Sequence, residues 1–229
     1  MMNKALFNLP VLTAAAFSLA ATAVIVAMVF AADPQSPTQG PTLMLDEPME
    51  APDFEVTTHE GEVLTKESMR GKVWVCDFFL SRCNGICPIL GRTMADLAHD
   101  LSKESDFEDV LLISFSVDPE HDTVEHLQQY RKVNMGYWDR GDDDWENEIN
   151  RRWKHVRAKE QESFWQLVRE GFKLYVGPSE NDPSTPIAHS GRLVLIDQQG
   201  RICGYYNGLT SEEMPALLAD IRRLVNATD

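Results

Sequence analysis

Residues 72–80 (KVWVCDFFL) and 110–117 (VLLISFSV) are apolar along nearly their whole length. Strands of this composition are buried on both faces. They therefore need one layer of helices above and another below, which predicts an α/β fold. Residues 81–87 read as a loop between them. Residues 88–101 (PILGRTMADLAHDL) follow, with Ile89, Met94, Leu97 and Leu101 at roughly helical spacing. Pro88 suits a first helical position, where no backbone donor is needed.

The remaining elements extend this frame. Residues 54–57 and 62–65 flank His59-Glu60-Gly61, a hairpin signal. Asp122-Thr123 caps a predicted helix running to about Arg131. Residues 134–155 read as irregular, with an acidic turn at Gly141-Asp142-Asp143-Asp144. A helix over 160–171 ends at Gly171, a strand covers 172–176, and residues 177–188 form a loop. Residues 192–197 and 201–206 flank Gln198-Gln199-Gly200 as a second hairpin, and an amphipathic helix over 211–225 closes the chain. A βαβ unit followed by ββα is the thioredoxin arrangement. The expectation is a thioredoxin-like fold: a central mixed sheet covered by helices on both faces, with an N-terminal β-hairpin and an N-terminal transmembrane helix.

That last element is the 23-residue run over 10–32, which holds no charged side chain. About 20 apolar residues span a bilayer. Lys4 precedes the run and Asp33 follows it, so residues 1–9 are expected in the cytoplasm and the rest outside. A cleaved signal peptide is the competing reading, but the run is long for one. Residues 33–50, with Pro34, Pro37, Pro41 and Pro48, read as an extended tether. The folded domain is expected over 51–229.

The chemistry centres on Cys83-Asn84-Gly85-Ile86-Cys87-Pro88, after a buried strand and at a helix start. Ligands of open α/β sheets bind beyond the carboxyl ends of the strands. The helix start predicts a lowered pKa at Cys87. Spacing alone leaves two readings open, a structural or redox disulfide and a metal site. His189, just before the strand over 192–197, adds an imidazole, and two thiolates with an imidazole select copper or zinc. Cys76 and Cys203 read as buried core thiols, with a Cys76–Cys203 bridge as the alternative. His121 reads as solvated or as an extra weak ligand. His59, His99, His126 and His155 show no ligand spacing. Asp118 either orients the site or caps a turn. The 36 acidic against 21 basic residues leave a charge of −15, which disfavours nucleic acid.

At these residues the sequence resembles the Sco/SenC family of copper-delivery proteins for cytochrome c oxidase. The resemblance rests on Gly71-Lys72-Val73-Trp74-Val75 through Phe78-Phe79, on Cys83-x-x-x-Cys87-Pro88, on residues 116–123 (SVDPEHDT) and on His189-Ser190 before residues 193–197. It implies one copper ion, Cu(I) or Cu(II), per chain on Cys83, Cys87 and His189. It also implies delivery to the copper-centre subunit of cytochrome c oxidase or another exported cuproprotein. The protein would sit in the bacterial inner membrane facing the periplasm, or in the mitochondrial inner membrane facing the intermembrane space. The acidic stretch over 134–160, with Trp138, Trp145 and Trp153, departs from the simplest members. The alternative function is a thiol–disulfide oxidoreductase in which Cys83 and Cys87 reduce target cysteines. A peroxiredoxin-like peroxidase shares the fold, but its Thr/Arg setting is not found here.

Overall fold

The computed structural model describes residues 44–139, 144–179 and 186–227. The expected cytoplasmic segment 1–9 and membrane segment 10–32 lie outside them, as does the tether up to residue 43. Among the described residues no helix is long and apolar enough to cross a membrane.

Strand β4 (Trp74–Phe79) is buried at every position and forms the axis of the fold. It runs parallel to β5 (Leu111–Ser116), which runs parallel to β6 (Trp153–Arg157). On the other side β4 pairs antiparallel with β9 (Arg192–Ile196), and β9 with β10 (Arg201–Asn207). Gly200 turns that second hairpin at φ +79°, a left-handed conformation that suits glycine. The N-terminal hairpin, β2 (Glu55–Thr58) and β3 (Val63–Thr65), joins the far edge through β6. Together with β1 (Met44–Glu50) these strands make an eight-stranded mixed sheet, ordered β1-β10-β9-β4-β5-β6-β2-β3.

Two of these strands differ from the sequence reading. Residues 44–50, expected in the tether, form β1 and pair with β10. The buried ammonium of Lys66 fixes the end of β1 by binding Glu50, Asp53 and the Ala51 carbonyl, each at 2.8 Å. Strand β6 begins inside the stretch over 134–155 expected to be irregular. Its sequence, WKHVR, lacks an apolar alternation because His155 supplies one of its buried positions.

The pleat of β4 divides the core. Trp74, Cys76 and Phe78 point to one side, among Phe54, Phe115 and Phe172. That side also holds Phe164 and Val168 of helix α4 (Gln161–Glu170). Val75 points to the other side, against helix α1 (Cys87–Ser102) and closing helix α5 (Met214–Val225). In α1 the side chains of Leu90, Met94, Leu97 and Leu101 are almost wholly buried. Each contributes about 1.5–3 kcal/mol by leaving water. This anchoring fixes the first turn of α1, and with it Cys87, over the end of β4. Helix α2 (Val124–Trp138) runs further than its predicted end at Arg131, and helix α3 (Trp145–Arg152) leads into β6. Strands β7 (Val176–Pro178) and β8 (Ile187–His189) form a separate two-stranded ribbon, where the sequence suggested a loop.

Candidate metal centre

Three elements converge beyond the carboxyl ends of β4 and β5. The loop over 81–86 brings Cys83, the first turn of α1 brings Cys87, and the last residue of β8 brings His189. One donor atom from each lies within 4.8 Å of the other two. Cys87 Sγ is 3.2 Å from His189 Nε2. The Nδ1 of His189 lies 3.1 Å from the Ser190 carbonyl. A carbonyl only accepts, so Nδ1 donates, and Nε2 is the ring nitrogen that faces the sulfurs. None of the four cysteines is bridged.

The two site thiols are unequal. Cys83 is held down to a pKa of about 4, chiefly by the hydrogen bond from the Cys87 thiol, with help from His189 and the Gly85 backbone. The Gly85 N–H lies 3.3 Å from Cys83 Sγ. Cys87 is pushed up, because it donates to that thiolate and is more deeply buried. This reverses the expectation that the helix start would make Cys87 the thiolate. At the first position of α1 Cys87 is 1% exposed, and one proton between two sulfurs stays on the drier one.

The loop is clamped by residues 116–123. Asp122 is fully buried and accepts four hydrogen bonds. Ser81 gives it two, from its backbone N–H at 3.1 Å and its hydroxyl at 2.5 Å. The Ser116 hydroxyl donates at 2.6 Å and the His121 ring at 2.9 Å. Asp118 accepts from Arg82 Nε at 2.7 Å, and its backbone carbonyl also closes the turn to Asp122. The Asp118 carboxylate thus holds the residue before Cys83, while the turn is closed by its backbone and not by its side chain. The helix cap is Thr123, whose hydroxyl accepts the His126 N–H. Asp122 serves the loop before Cys83 instead.

Beneath the site lies Asp77, which the sequence reading passed over. It is 1% exposed, and burial raises its pKa to about 6. It accepts from the Ser114 hydroxyl at 2.5 Å, and Ser114 accepts from Trp153 Nε1 at 2.8 Å. A single acid inside an apolar run was its only signal. Beside Cys83 opens a cavity of about 380 Å³ lined by Tyr130, His126 and Val133.

The other candidates stay apart. His121 stacks on His126 with ring centres 4.7 Å apart and does not join the donor group. His59 and His155 are buried against each other and kept neutral by burial and the Arg131 charge. Cys76 and Cys203 belong to the cores on opposite sides of the sheet, so they form no bridge. Burial raises both thiols, Cys203 to about 12.

This arrangement defines a thioredoxin-like protein with a thiol pair at a helix start and a histidine facing it across the loop. The SCO1/SenC family model matches residues 44–139. Over these residues the chain is similar to the SCO1/SenC family. It is 26% identical to a SCO1 protein homolog of Bacillus subtilis over 169 residues, covering 74% of this chain and 79% of the relative. The fold superposes on BsSco, described as a member of the Sco family of cytochrome c oxidase assembly proteins with a disulfide switch. That match has a TM-score of 0.65 and 23% identity, covering 82% of this chain and all of that one. It also superposes on copper-bound ScoI of Bradyrhizobium japonicum with a TM-score of 0.58 and 20% identity, covering 76% and 99%. At these identities the two structures establish likeness of fold.

Proposed function

We propose that this protein carries one copper ion as cargo on Cys83 Sγ, Cys87 Sγ and His189 Nε2. It delivers that ion to the copper-centre subunit of cytochrome c oxidase or another exported cuproprotein. The observation that carries this reading is the convergence of two sulfurs and an imidazole nitrogen within 4.8 Å. Thiolates with imidazole suit copper among the first-row ions. The fold relatives add support, one with copper bound and one described as a cytochrome c oxidase assembly protein. Cys83 is already a thiolate, Cys87 loses its proton as the ion arrives, and Ser190 orients the imidazole. Three protein donors leave the ion open to a ligand from the recipient, so transfer proceeds by ligand exchange.

The same reading makes residues 10–32 a membrane anchor, on the strength of 23 uncharged residues. Residues 1–9 are then cytoplasmic, the domain lies outside the cytoplasm, and residues 33–43 are the tether. Full-length chain that stays in the membrane pellet after alkaline carbonate extraction supports the anchor, and release of an intact domain overturns it.

The copper test uses the reduced full-length chain, loaded with Cu(I) or Cu(II) and freed of excess metal. One copper per chain is expected, with a thiolate-to-Cu(II) charge-transfer band that disappears in His189→Ala. Failure to retain copper with both thiols reduced ends the reading. A second reading, thiol–disulfide exchange, is favoured by the pairing of a Cys83 thiolate with a protonated Cys87. It predicts that His189→Ala leaves the exchange rate intact.

A further inference from the structure

Asn-Gly occurs twice in the chain, at Asn84-Gly85 and Asn207-Gly208. Asparagine is chemically labile, and most so before glycine, which carries no Cβ to shield its backbone nitrogen. That nitrogen attacks the asparagine Cγ wherever the backbone bends enough to bring the two together. The fold treats the two copies of this dipeptide differently.

Asn207-Gly208 is pinned on four sides. The Asn207 N–H donates to Glu213 Oε2 at 2.5 Å, and Asn207 Oδ1 accepts the Leu209 N–H at 2.9 Å. The Gly208 N–H donates to the Gly191 carbonyl at 2.9 Å, and the Gly208 carbonyl accepts from the Thr93 hydroxyl at 2.8 Å. A Cβ at Gly208 would lie 2.6 Å from Leu90, so this stretch of backbone is also packed in.

Asn84-Gly85 lies in the loop over 81–86, and both residues are exposed. The Asn84 side chain makes no hydrogen bond among the described residues and borders the cavity beside Cys83. The Gly85 N–H has one partner, Cys83 Sγ at 3.3 Å. That contact joins two residues of the same loop, so it moves with the loop and does not tie it to the rest of the fold.

We propose that Asn84-Gly85 is a site of spontaneous deamidation, with water as the co-reactant, and that conversion there loosens the sulfur pair's hold on its ion. The Gly85 nitrogen bonds to Asn84 Cγ and gives up its proton. The bond from Cγ to the side-chain nitrogen breaks, and ammonia leaves. The resulting succinimide ring takes up one water. Opening at one carbonyl gives aspartate; opening at the other gives isoaspartate, in which the main chain runs through Cβ and Cγ. Either product puts a carboxylate next to Cys83. Isoaspartate also adds a backbone carbon between Cys83 and Gly85, which draws the Gly85 N–H away from Cys83 Sγ. The conversion is independent of what the sulfurs carry, whereas its effect on an ion rests on the functional reading above.

The test holds the full-length chain, reduced and metal-free, under argon in mildly alkaline heavy-oxygen water. Proteolysis and mass spectrometry follow each asparagine, since every succinimide opening fixes one heavy oxygen. Asn84 is expected to convert at least about tenfold faster than Asn207, equivalent to about 1.4 kcal/mol of barrier. In urea the two rates are expected to converge, because the fold no longer separates them. Equal rates in the folded chain, or a ratio unchanged by urea, overturns the proposal. The copper arm compares fresh with aged and re-reduced protein, beside Asn84→Gln, whose longer side chain closes the ring far more slowly. Aged wild type is expected to hold Cu(I) about tenfold less tightly against a chelator, as for loss of a group that supports a ligand. Aged Asn84→Gln is expected to match its fresh form. Converted protein that holds copper as tightly as fresh protein overturns the effect assigned to the sulfur pair. Fresh protein that holds no copper overturns the functional reading instead, while the mass readout still decides the conversion.

Discussion

Cys76 and Cys203 sit in mid-strand, walled in by the two cores, and burial keeps them protonated. Cys83 and Cys87 are also buried, yet one is a thiolate and the other its proton donor. Depth therefore does not separate the pairs. Hydrogen-bond supply does: Cys83 receives Gly85 N–H and the Cys87 thiol, while Cys76 sees only desolvation and the charge of Asp77. Strand geometry draws the boundary sharply, since Cys76 and its neighbour Asp77 point to opposite faces of β4. One enters an inert core and the other lies beneath the site.

The largest test of this contrast removes the donor. In Cys87→Ser the hydroxyl is a poorer match for a thiolate, so the Cys83 titration rises from about 4 toward the ordinary thiol value of about 8.5. The pH dependence of Cys83 alkylation reads this directly, and an unmoved profile would refute the account of the pair. Next comes the clamp. Asp122→Ala frees Ser81, Ser116 and His121 from their acceptor and is expected to weaken copper retention about 10- to 100-fold. Competition with a Cu(I) chelator measures it, and wild-type affinity would mean that the loop before Cys83 needs no fixing.

Third is Asp77. Its folded pKa, about 6, lies above the carboxylate value in the unfolded chain, so the folded state holds its proton longer. Its contribution to stability is fully present below about pH 4 and is lost as pH rises to about 6. The loss is up to about 3 kcal/mol, at 1.36 kcal/mol for each pH unit between the two values. Urea titrations of wild type and Asp77→Asn should diverge across that window. Parallel curves would show that Asp77 is not strained by burial. The smallest effect is expected at Cys203→Ala, about 1 kcal/mol of stability with copper retention unchanged. A loss of copper there would erase the distinction between the two pairs.

Local signals carried the parts of the site that lie close together in sequence. A buried strand, CxxxC and a proline-started helix are contiguous, and each signals its own neighbour. His189 was legible because it stands just before an apolar strand in a recognisable fold. What remained hidden depends on distant pairing. Asp122 looked like a helix cap because Thr123 beside it is one, and only the folded chain brings Ser81 within reach. Strand β6 was hidden because His155 fills a buried position between Phe79, Tyr130 and Trp138, where an apolar residue would have announced it. Strand β8 is too short to declare itself and exists through its pairing with β7.

Because Cys83 and Cys87 already share a single proton, loading the pair with a cation displaces one proton and not two. Between roughly pH 5 and 8 the thiol pair then makes the logarithm of affinity climb by about one for each pH unit. Under the proposed cargo role, the acidity of the surrounding compartment would throttle uptake and release, with half the steepness that two ordinary thiols would impose.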